Sequence, residues 1–144
     1  VQGDGYGGGV GLVAACDIAV GTPAVGFSLS EVKLGLTPAT ISPYVLRAIG
    51  ERAARRYFVT AERFDAAQAH HLGLLHEVVK PEVLDATVDR LAQAIVANGP
   101  QAVRAGKRLI SEVAGQPLTH ALRDHTARHI VHQGEQGQRP PQEP

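Results

Sequence analysis

Residues 5–19 read GYGGGVGLVAACDIA, a cluster of glycines followed by an apolar run that ends in Cys-Asp-Ile-Ala. The pattern predicts a short helix over residues 8–16 that is opened by glycines. Backbone amides at such a helix start can donate hydrogen bonds to an anion, helped by the positive end of the helix dipole. This arrangement supplies half of an oxyanion hole. The glycines could equally serve only a tight turn with close backbone packing.

A dinucleotide-binding site is a second interpretation of the same glycines. Gly3, Gly5 and Gly8 satisfy G-x-G-x-x-G, and Glu31 lies at a suitable distance beyond them. That fingerprint requires a long helix and then a strand ending in the acidic residue, whereas the helix predicted here is short. The chain after Ile41 has helical periodicity almost throughout, so a doubly wound sheet would lack strands. A dinucleotide-binding oxidoreductase is therefore a remote alternative.

The remaining chain predicts short strands followed by helices in one folded body. Strands are predicted at 18–21, 25–29 and 74–79, and helices at 42–49, with Ser42 as N-cap, at 51–59, at 65–72, and from Pro81, Pro100 and about Leu118 onward. We expect a core over residues 1–80 and a helical arm over 81–133 whose apolar stripe needs a partner. A polar, proline-containing tail over 134–144 is predicted to be disordered.

Composition argues against several classes of partner. The 14 basic and 14 acidic residues are interspersed and give a formal charge of zero, so neither nucleic acid nor an anionic membrane is expected to bind. No membrane span or signal peptide is predicted. The single cysteine, Cys16, can form no intramolecular disulfide, which predicts a reducing, cytoplasmic location. His125, His129 and His132 have the spacing of metal ligands, but no Cys, Asp or Glu except Asp124 lies nearby in the sequence, and no metal site is predicted.

The glycine cluster resembles the signature of the crotonase, or enoyl-coenzyme A hydratase/isomerase, superfamily, in which a triple glycine opens a short helix ending in Cys-Asp-Ile/Leu. The similarity continues through FSLSEVKLGLTP at 27–38, IGE at 49–51, LGL at 72–74 and RPP at 139–141. It covers nearly the whole chain. The resemblance implies an α/β fold: the C-terminal part of a crotonase (ClpP-like) ββα spiral core, followed by a helical trimerisation arm. The first residues are not Met and read like the end of a strand, so we expect a partial chain.

The resemblance also implies roles for individual residues. The Gly8 amide is expected to donate to a thioester carbonyl, with Gly7 beside it binding substrate, while the family's second amide comes from an earlier segment that this chain does not contain. The first of the two catalytic glutamates of many hydratases falls at Gly11, so one carboxylate is absent. The second falls at Glu31, which becomes the candidate general acid/base.

The implied substrate is an α,β-unsaturated acyl-coenzyme A thioester. Gly11 and the segments at 30–36 and 41–43 are similar to the branch that hydrates methylglutaconyl-coenzyme A and carboxygeranoyl-coenzyme A in leucine and acyclic-terpene breakdown. The acyl pocket is expected to be lined by Pro38, Ala39, Thr40 and Ile41. The family needs no metal or separate cofactor, and a homotrimer or hexamer is expected. A chain without the first half of the site could instead be a catalytically inactive module that only oligomerises.

Overall fold

The computed structural model describes the backbone of residues 1–137 and the side chains of residues 1–128. The chain divides into two compact units, of which the first is Val1–Asp89 and the second begins at Arg90. This division falls later than the predicted boundary after residue 80. Leu84, which is only 5% exposed, lies within the first unit.

The first unit alternates very short strands with helices. Its strands are β1 (Gly5–Tyr6), β2 (Val20–Gly21), β3 (Gly26–Ser28), β4 (Phe64–Asp65) and β5 (Glu77–Val78). Its helices are α1 (Gly8–Ala15), α2 (Ser42–Thr60), α3 (Ala66–Leu72) and the start of α4 (Leu84–Val96), with 3-10 turns at Ser30–Leu34 and Pro81–Val83. The predicted mixture of helix and strand is confirmed.

Two small sheets organise these elements. The first has the order β1-β3-β4: β1 runs parallel to β3 with Gly5 opposite Phe27, and β3 runs antiparallel to β4 with Phe27 opposite Phe64. In the second, β2 runs parallel to β5 with Val20 opposite Glu77. Helix α1 follows β1 directly, so the turn between them lies at the carboxyl end of a strand that is held in register by β3.

The core of the first unit forms around β3. Phe27 and Leu29 are completely buried, and the Phe27 ring stacks on Phe64 with the centroids 5.7 Å apart. Tyr57 of α2 packs against the other side of this cluster, 4.4 Å from the Phe64 ring. Burying each large apolar side chain contributes about 1.5–3 kcal/mol, so these contacts fix the strand that precedes Glu31.

The predicted starts of α1 and α3 are confirmed, whereas the predicted N-cap of α2 is wrong. Helix α1 begins at Gly8, and α3 has Asp65 as its N-cap, with the Asp65 carboxylate accepting a 2.8 Å hydrogen bond from the Gln68 amide. The predicted N-cap Ser42 instead lies inside α2, because its hydroxyl donates to the Ala39 carbonyl at 2.8 Å and caps no amide.

Helix α2 joins the two helices predicted at 42–49 and 51–59. The junction is Gly50, whose φ of 79° and ψ of 161° are not helical. A left-handed φ of this kind is accessible to glycine and strained for other residues. The helix therefore consists of two segments that meet at a break, with Val45 and Tyr57 buried on either side of it.

The dinucleotide interpretation does not fit this fold. The helix after the glycine cluster has 8 residues, and Glu31 lies in a 3-10 turn rather than at the end of a strand. In residues 1–137 the strands form sheets of three and two strands, not a doubly wound parallel sheet.

The second unit is helical. It contains the end of α4, then α5 (Pro100–Val113) and α6 (His120–Gly137), and α5 contacts α6. Of the apolar side chains predicted to form an exposed stripe, Val88 and Ile95 of α4 and Ile110 of α5 are 47%, 45% and 70% exposed, whereas Leu84 is buried. Helix α6 continues past the predicted start of the tail at residue 134, while residues 138–144 lie outside the described part, so disorder there stays a prediction. None of the described helices combines the length and apolarity needed to cross a bilayer.

Candidate active site

The turn between β1 and α1 is built on Gly7. Its φ of 48° and ψ of −115° lie in a region that L side chains rarely adopt. The Gly7 amide donates to the Ser28 carbonyl at 2.9 Å, which ties the turn to the end of β3. Its carbonyl accepts from the Val10 and Gly11 amides at 3.0 and 3.3 Å, which starts the helix.

The first turn of α1 presents amides without helical acceptors. Gly8 and Gly9 are the first two helical residues, and amides at these positions have no intrahelical partner. No side chain caps this helix. Positions beside both glycines are open, because a Cβ on either would meet no described heavy atom within 4 Å. An anionic or polarised oxygen can therefore approach the Gly8 amide at the positive end of the helix dipole.

Glu31 lies against this turn. Its carboxyl oxygen Oε1 is 3.1 Å from the position that a Cβ on Gly7 would occupy, and its Cδ is 3.4 Å away. The other oxygen, Oε2, is buried and has no hydrogen-bond partner among the described residues. Buried polar atoms in proteins are almost always paired, so this unpaired oxygen makes Glu31 a candidate to bind a ligand. The structure thus brings the predicted residues Gly7, Gly8 and Glu31 together.

Gly11, one turn further along α1, faces Ile41. A Cβ on Gly11 would lie 2.7 Å from the Cβ of Ile41 and closer still to its Cγ2, inside the 3.0 Å limit that real Cβ atoms respect. Gly11 is buried and Ile41 is half-buried. The space that a side chain at position 11 would need is therefore filled by an apolar group.

The other predicted pocket residues lie in the turn before α2. Pro38 is buried, whereas Ala39 and Thr40 are exposed. The Ala39 amide donates to the Thr37 carbonyl at 2.8 Å, which closes the turn. Only Ile41 of this group is placed against α1 by a described contact, so the roles of Pro38, Ala39 and Thr40 stay predictions.

Asp4 holds the glycine turn in place, and sequence reasoning missed it. Its Oδ1 accepts hydrogen bonds from the Gly26 amide at 2.7 Å and from Nη2 of Arg63 at 3.1 Å, and its Oδ2 accepts from the Tyr6 hydroxyl at 3.1 Å. The Gly26 amide, followed by Arg63, lowers the pKa of Asp4 below its ordinary value. No local signal could have revealed this contact, because Arg63 lies 59 residues away.

Metal ligands do not converge in the described part of the chain, where no group of three or more His, Cys, Asp or Glu side chains could hold an ion. His125 instead lies 3.5 Å from a carboxylate oxygen of Glu112. The side chains of His129 and His132 lie outside the described residues. The expectation that no metal or separate cofactor is needed stays a prediction.

The comparison with known families decides the assignment. The sequence model described as enoyl-CoA hydratase/isomerase matches residues 1–136. The chain belongs to the enoyl-CoA hydratase/isomerase family. The predicted superfamily is thereby confirmed, whereas its methylglutaconyl-coenzyme A branch is not tested by this match.

Individual members of the enoyl-CoA hydratase/isomerase family show how far the similarity extends. Enoyl-CoA hydratase ACTT6 of Alternaria alternata is 37% identical over 131 residues, which are 90% of this chain and 43% of that protein. A Legionella pneumophila protein provisionally named enoyl CoA hydratase/isomerase (crotonase) is 48% identical, with a TM-score of 0.86 over 92% of this chain and 51% of that one. An enoyl-CoA hydratase from Shewanella pealeana is 45% identical, with a TM-score of 0.87 over 92% and 49% of the two chains.

The crotonase-type fold is thus confirmed for the aligned region. The chain spans about half the length of these relatives, with shares of 43%, 51% and 49%. The trimerisation role of the helical arm stays a prediction.

Proposed function

We propose that this chain carries the proton-transferring group and one oxyanion donor of a hydro-lyase that adds water to an α,β-unsaturated acyl-coenzyme A thioester. The observation that carries the proposal is the position of Glu31. Its carboxyl lies against Gly7 at the start of α1, and its Oε2 is buried without a partner among the described residues. A carboxylate held in this way can transfer a proton at the carbon next to the thioester.

The oxyanion donor in this proposal is the Gly8 amide. Addition to the double bond moves negative charge onto the thioester oxygen, and an amide aimed at that oxygen stabilises the enolate more than the substrate. The open space beside Gly8 and its position at the first turn of α1 support this role. Gly7 supports substrate binding because its backbone conformation sets the direction in which the helix starts. The second amide of the family's oxyanion hole comes from a segment that precedes the glycines.

The substrate that we propose first is 3-methylglutaconyl-coenzyme A or a similar carboxy-substituted thioester. The support is the resemblance of Gly11 and the segments at 30–36 and 41–43 to that branch. Pro38, Ala39, Thr40 and Ile41 would line the acyl pocket. Coenzyme A enters as part of the substrate, and no further cofactor is proposed.

Assembly into a homotrimer or hexamer and a cytoplasmic location are part of the same proposal. Exposed apolar side chains on the helices after residue 81, such as Val88, Ile95 and Ile110, support an assembly that covers them. The exposed and unpaired thiol of Cys16 supports a reducing compartment.

A fusion protein tests the proposed reaction. The N-terminal half of the Shewanella pealeana hydratase, of which this chain covers 49%, is placed before Val1. The fusion is expected to hydrate 3-methylglutaconyl-coenzyme A and crotonyl-coenzyme A, followed by loss of the enoyl-thioester absorbance and by identification of the hydroxyacyl product. A folded fusion that binds coenzyme A without turnover would contradict the proposal and support an oligomerising module. A product with a shifted double bond and no added water would contradict hydration.

A further inference from the structure

We propose that Ile41 fills the space beside Gly11 and thereby keeps this face of the site to a single proton-transferring carboxylate, Glu31. This inference rests on the function proposed above. It assigns to Ile41 a role beyond that of a general pocket wall. In this role, Ile41 prevents any residue with a side chain from occupying position 11 of α1, three residues after the Gly8 amide.

Gly11, the residue whose side-chain space Ile41 fills, lies beside the candidate site. Gly11 lies on the turn of α1 that begins at Gly7, and its amide donates to the Gly7 carbonyl at 3.3 Å. Gly7 is the residue against which the Glu31 carboxyl lies. A side chain at position 11 would therefore project from the same short helix that carries the Gly8 amide, and it would meet Ile41 at once.

Ile41 cannot easily withdraw. It is the N-cap residue of α2, and its carbonyl accepts hydrogen bonds from the Tyr44 and Val45 amides at 3.1 and 3.0 Å. Val45 is completely buried, which fixes this first turn. The backbone Cα of Ile41 also lies 3.7 Å from the Gly11 Cβ position, and a β-branched side chain has little χ1 freedom. Space for a side chain at position 11 thus requires a smaller residue at 41.

The apolar side chain of Ile41 affects which group can take a proton from the attacking water. The side chain of Ile41 offers no hydrogen-bond donor or acceptor to water, and the proposal assigns both proton transfers to Glu31. The water oxygen bonds to the β-carbon while its proton passes to the Glu31 carboxylate, and the π electrons of the double bond move through the α-carbon to the thioester carbonyl, giving an enolate. The enolate α-carbon then takes the proton from Glu31 and the carbonyl re-forms. One water is consumed and the carboxylate is regenerated.

A stability cycle tests the steric part of the inference without substrate. Gly11→Ala is compared with Ile41→Ala and with the double variant, in the 144-residue chain and in the fusion. Gly9→Ala is the matched control in the same helix, because a Cβ on Gly9 would meet no described atom within 4 Å. Gly11→Ala is expected to lower Tm by about 4 °C or more through overpacking, whereas Gly9→Ala lowers it little or raises it. Adding Ile41→Ala is expected to remove the effect of Gly11→Ala.

A relocated carboxylate tests the functional part in the fusion. Gly11→Glu alone is expected to lose stability and hydration, and Gly11→Glu with Ile41→Ala is expected to hydrate at least about tenfold faster than Gly11→Glu alone, since a second base can then act on water. Gly11→Gln with Ile41→Ala keeps the shape without the charge and is expected to lack this gain. If Gly11→Glu is as stable and active as the double variant, or if Gln equals Glu, the inference is wrong.

The two experiments separate this inference from the function on which it rests. Coupling between positions 11 and 41 in stability, together with a folded but inactive fusion, would contradict the hydratase proposal and leave the steric pairing intact. An active fusion in which Gly11→Ala is as stable as Gly9→Ala would leave the hydratase proposal intact and overturn the role of Ile41.

Discussion

The carboxyl group of Glu31 lies directly over the backbone of Gly7, with Oε1 3.1 Å from the position of a Cβ on that glycine. The two residues come from different elements: Gly7 from the turn after β1, and Glu31 from the 3-10 turn after β3. The parallel pairing of β1 with β3 brings the ends of these strands together. The pairing of β1 with β3 therefore positions both the start of α1 and the carboxyl group of Glu31.

Replacement of Glu31 by Gln is the most direct test of its chemistry. The substitution keeps the shape of the side chain and removes its capacity to transfer a proton. In the fusion protein we expect the hydration rate to fall by about 10²- to 10⁴-fold, with binding of coenzyme A largely retained. Steady-state kinetics and calorimetric binding measure the two quantities. A Gln variant with the parent rate would exclude Glu31 as the proton carrier.

Replacement of Gly7 by Ala should destabilise the fold. The new side chain would have to adopt a φ near 48° and would meet the Glu31 carboxyl. Backbone strain of this kind costs about 1–3 kcal/mol. Gly9→Ala is the control, since it adds a methyl group to an open helical position and is expected to be neutral or stabilising by up to about 1 kcal/mol. Urea unfolding followed by circular dichroism gives both values, and equal stabilities would contradict the strained geometry.

Acid should weaken the fold partly through Asp4. The hydrogen bond from the Gly26 amide and the contact with Arg63 lower the pKa of Asp4 in the folded protein below its ordinary value of 3.8. A lowered folded pKa means that this stabilisation is fully present above the unfolded pKa and is lost as pH falls through the folded one. Unfolding measured from pH 6 down to about pH 2 should therefore show a smaller loss for Asp4→Asn than for the parent.

Two other variants separate the contributions to this acid sensitivity. Arg63→Ala should remove only part of the Asp4 effect, because the Gly26 hydrogen bond is the larger cause. The hydrogen bond from Arg56 also lowers the pKa of Glu62. Glu62→Gln should therefore remove a separate part of the stability loss at low pH. Parallel stability curves for the parent and Asp4→Asn would show that Asp4 does not contribute.

The 144-residue chain by itself is expected to turn over poorly even with Glu31 intact. On the proposed mechanism the Gly8 amide is one of two oxyanion donors, and removing one such donor typically costs about 10²- to 10³-fold in rate. The measurement compares the chain with the fusion at equal concentration on crotonyl-coenzyme A. Comparable rates would show that the proposed second amide is dispensable.

Local chemistry made part of this structure predictable. The glycine cluster located the start of α1 at Gly8, and Asp65 followed by Gly73 marked both ends of α3. These signals act within a few residues, through capping and backbone conformation. The resemblance to the family placed Glu31 near the glycines, and the structure confirms that proximity while the residue's role stays a prediction.

Long-range contacts were not predictable from the sequence. The pairing of β3 with β4 and the Asp4–Arg63 contact join residues far apart in the chain, and neither has a local pattern. The contact of Ile41 with Gly11 also depends on how α2 packs against α1. Ser42 shows the same limit on a smaller scale: its type favours an N-cap, yet the turn before α2 turns its hydroxyl toward the Ala39 carbonyl.

The break at Gly50 has a dynamic consequence. Because the backbone there is not helical, the hydrogen-bond ladder of α2 is interrupted between the segment that begins after Ile41 and the segment that contains Tyr57. Each segment can then open on its own, and amide hydrogen exchange should be faster before Gly50 than in the segment packed around the aromatic cluster. Gly50 therefore divides α2 into two hydrogen-bonded segments that need not unfold together.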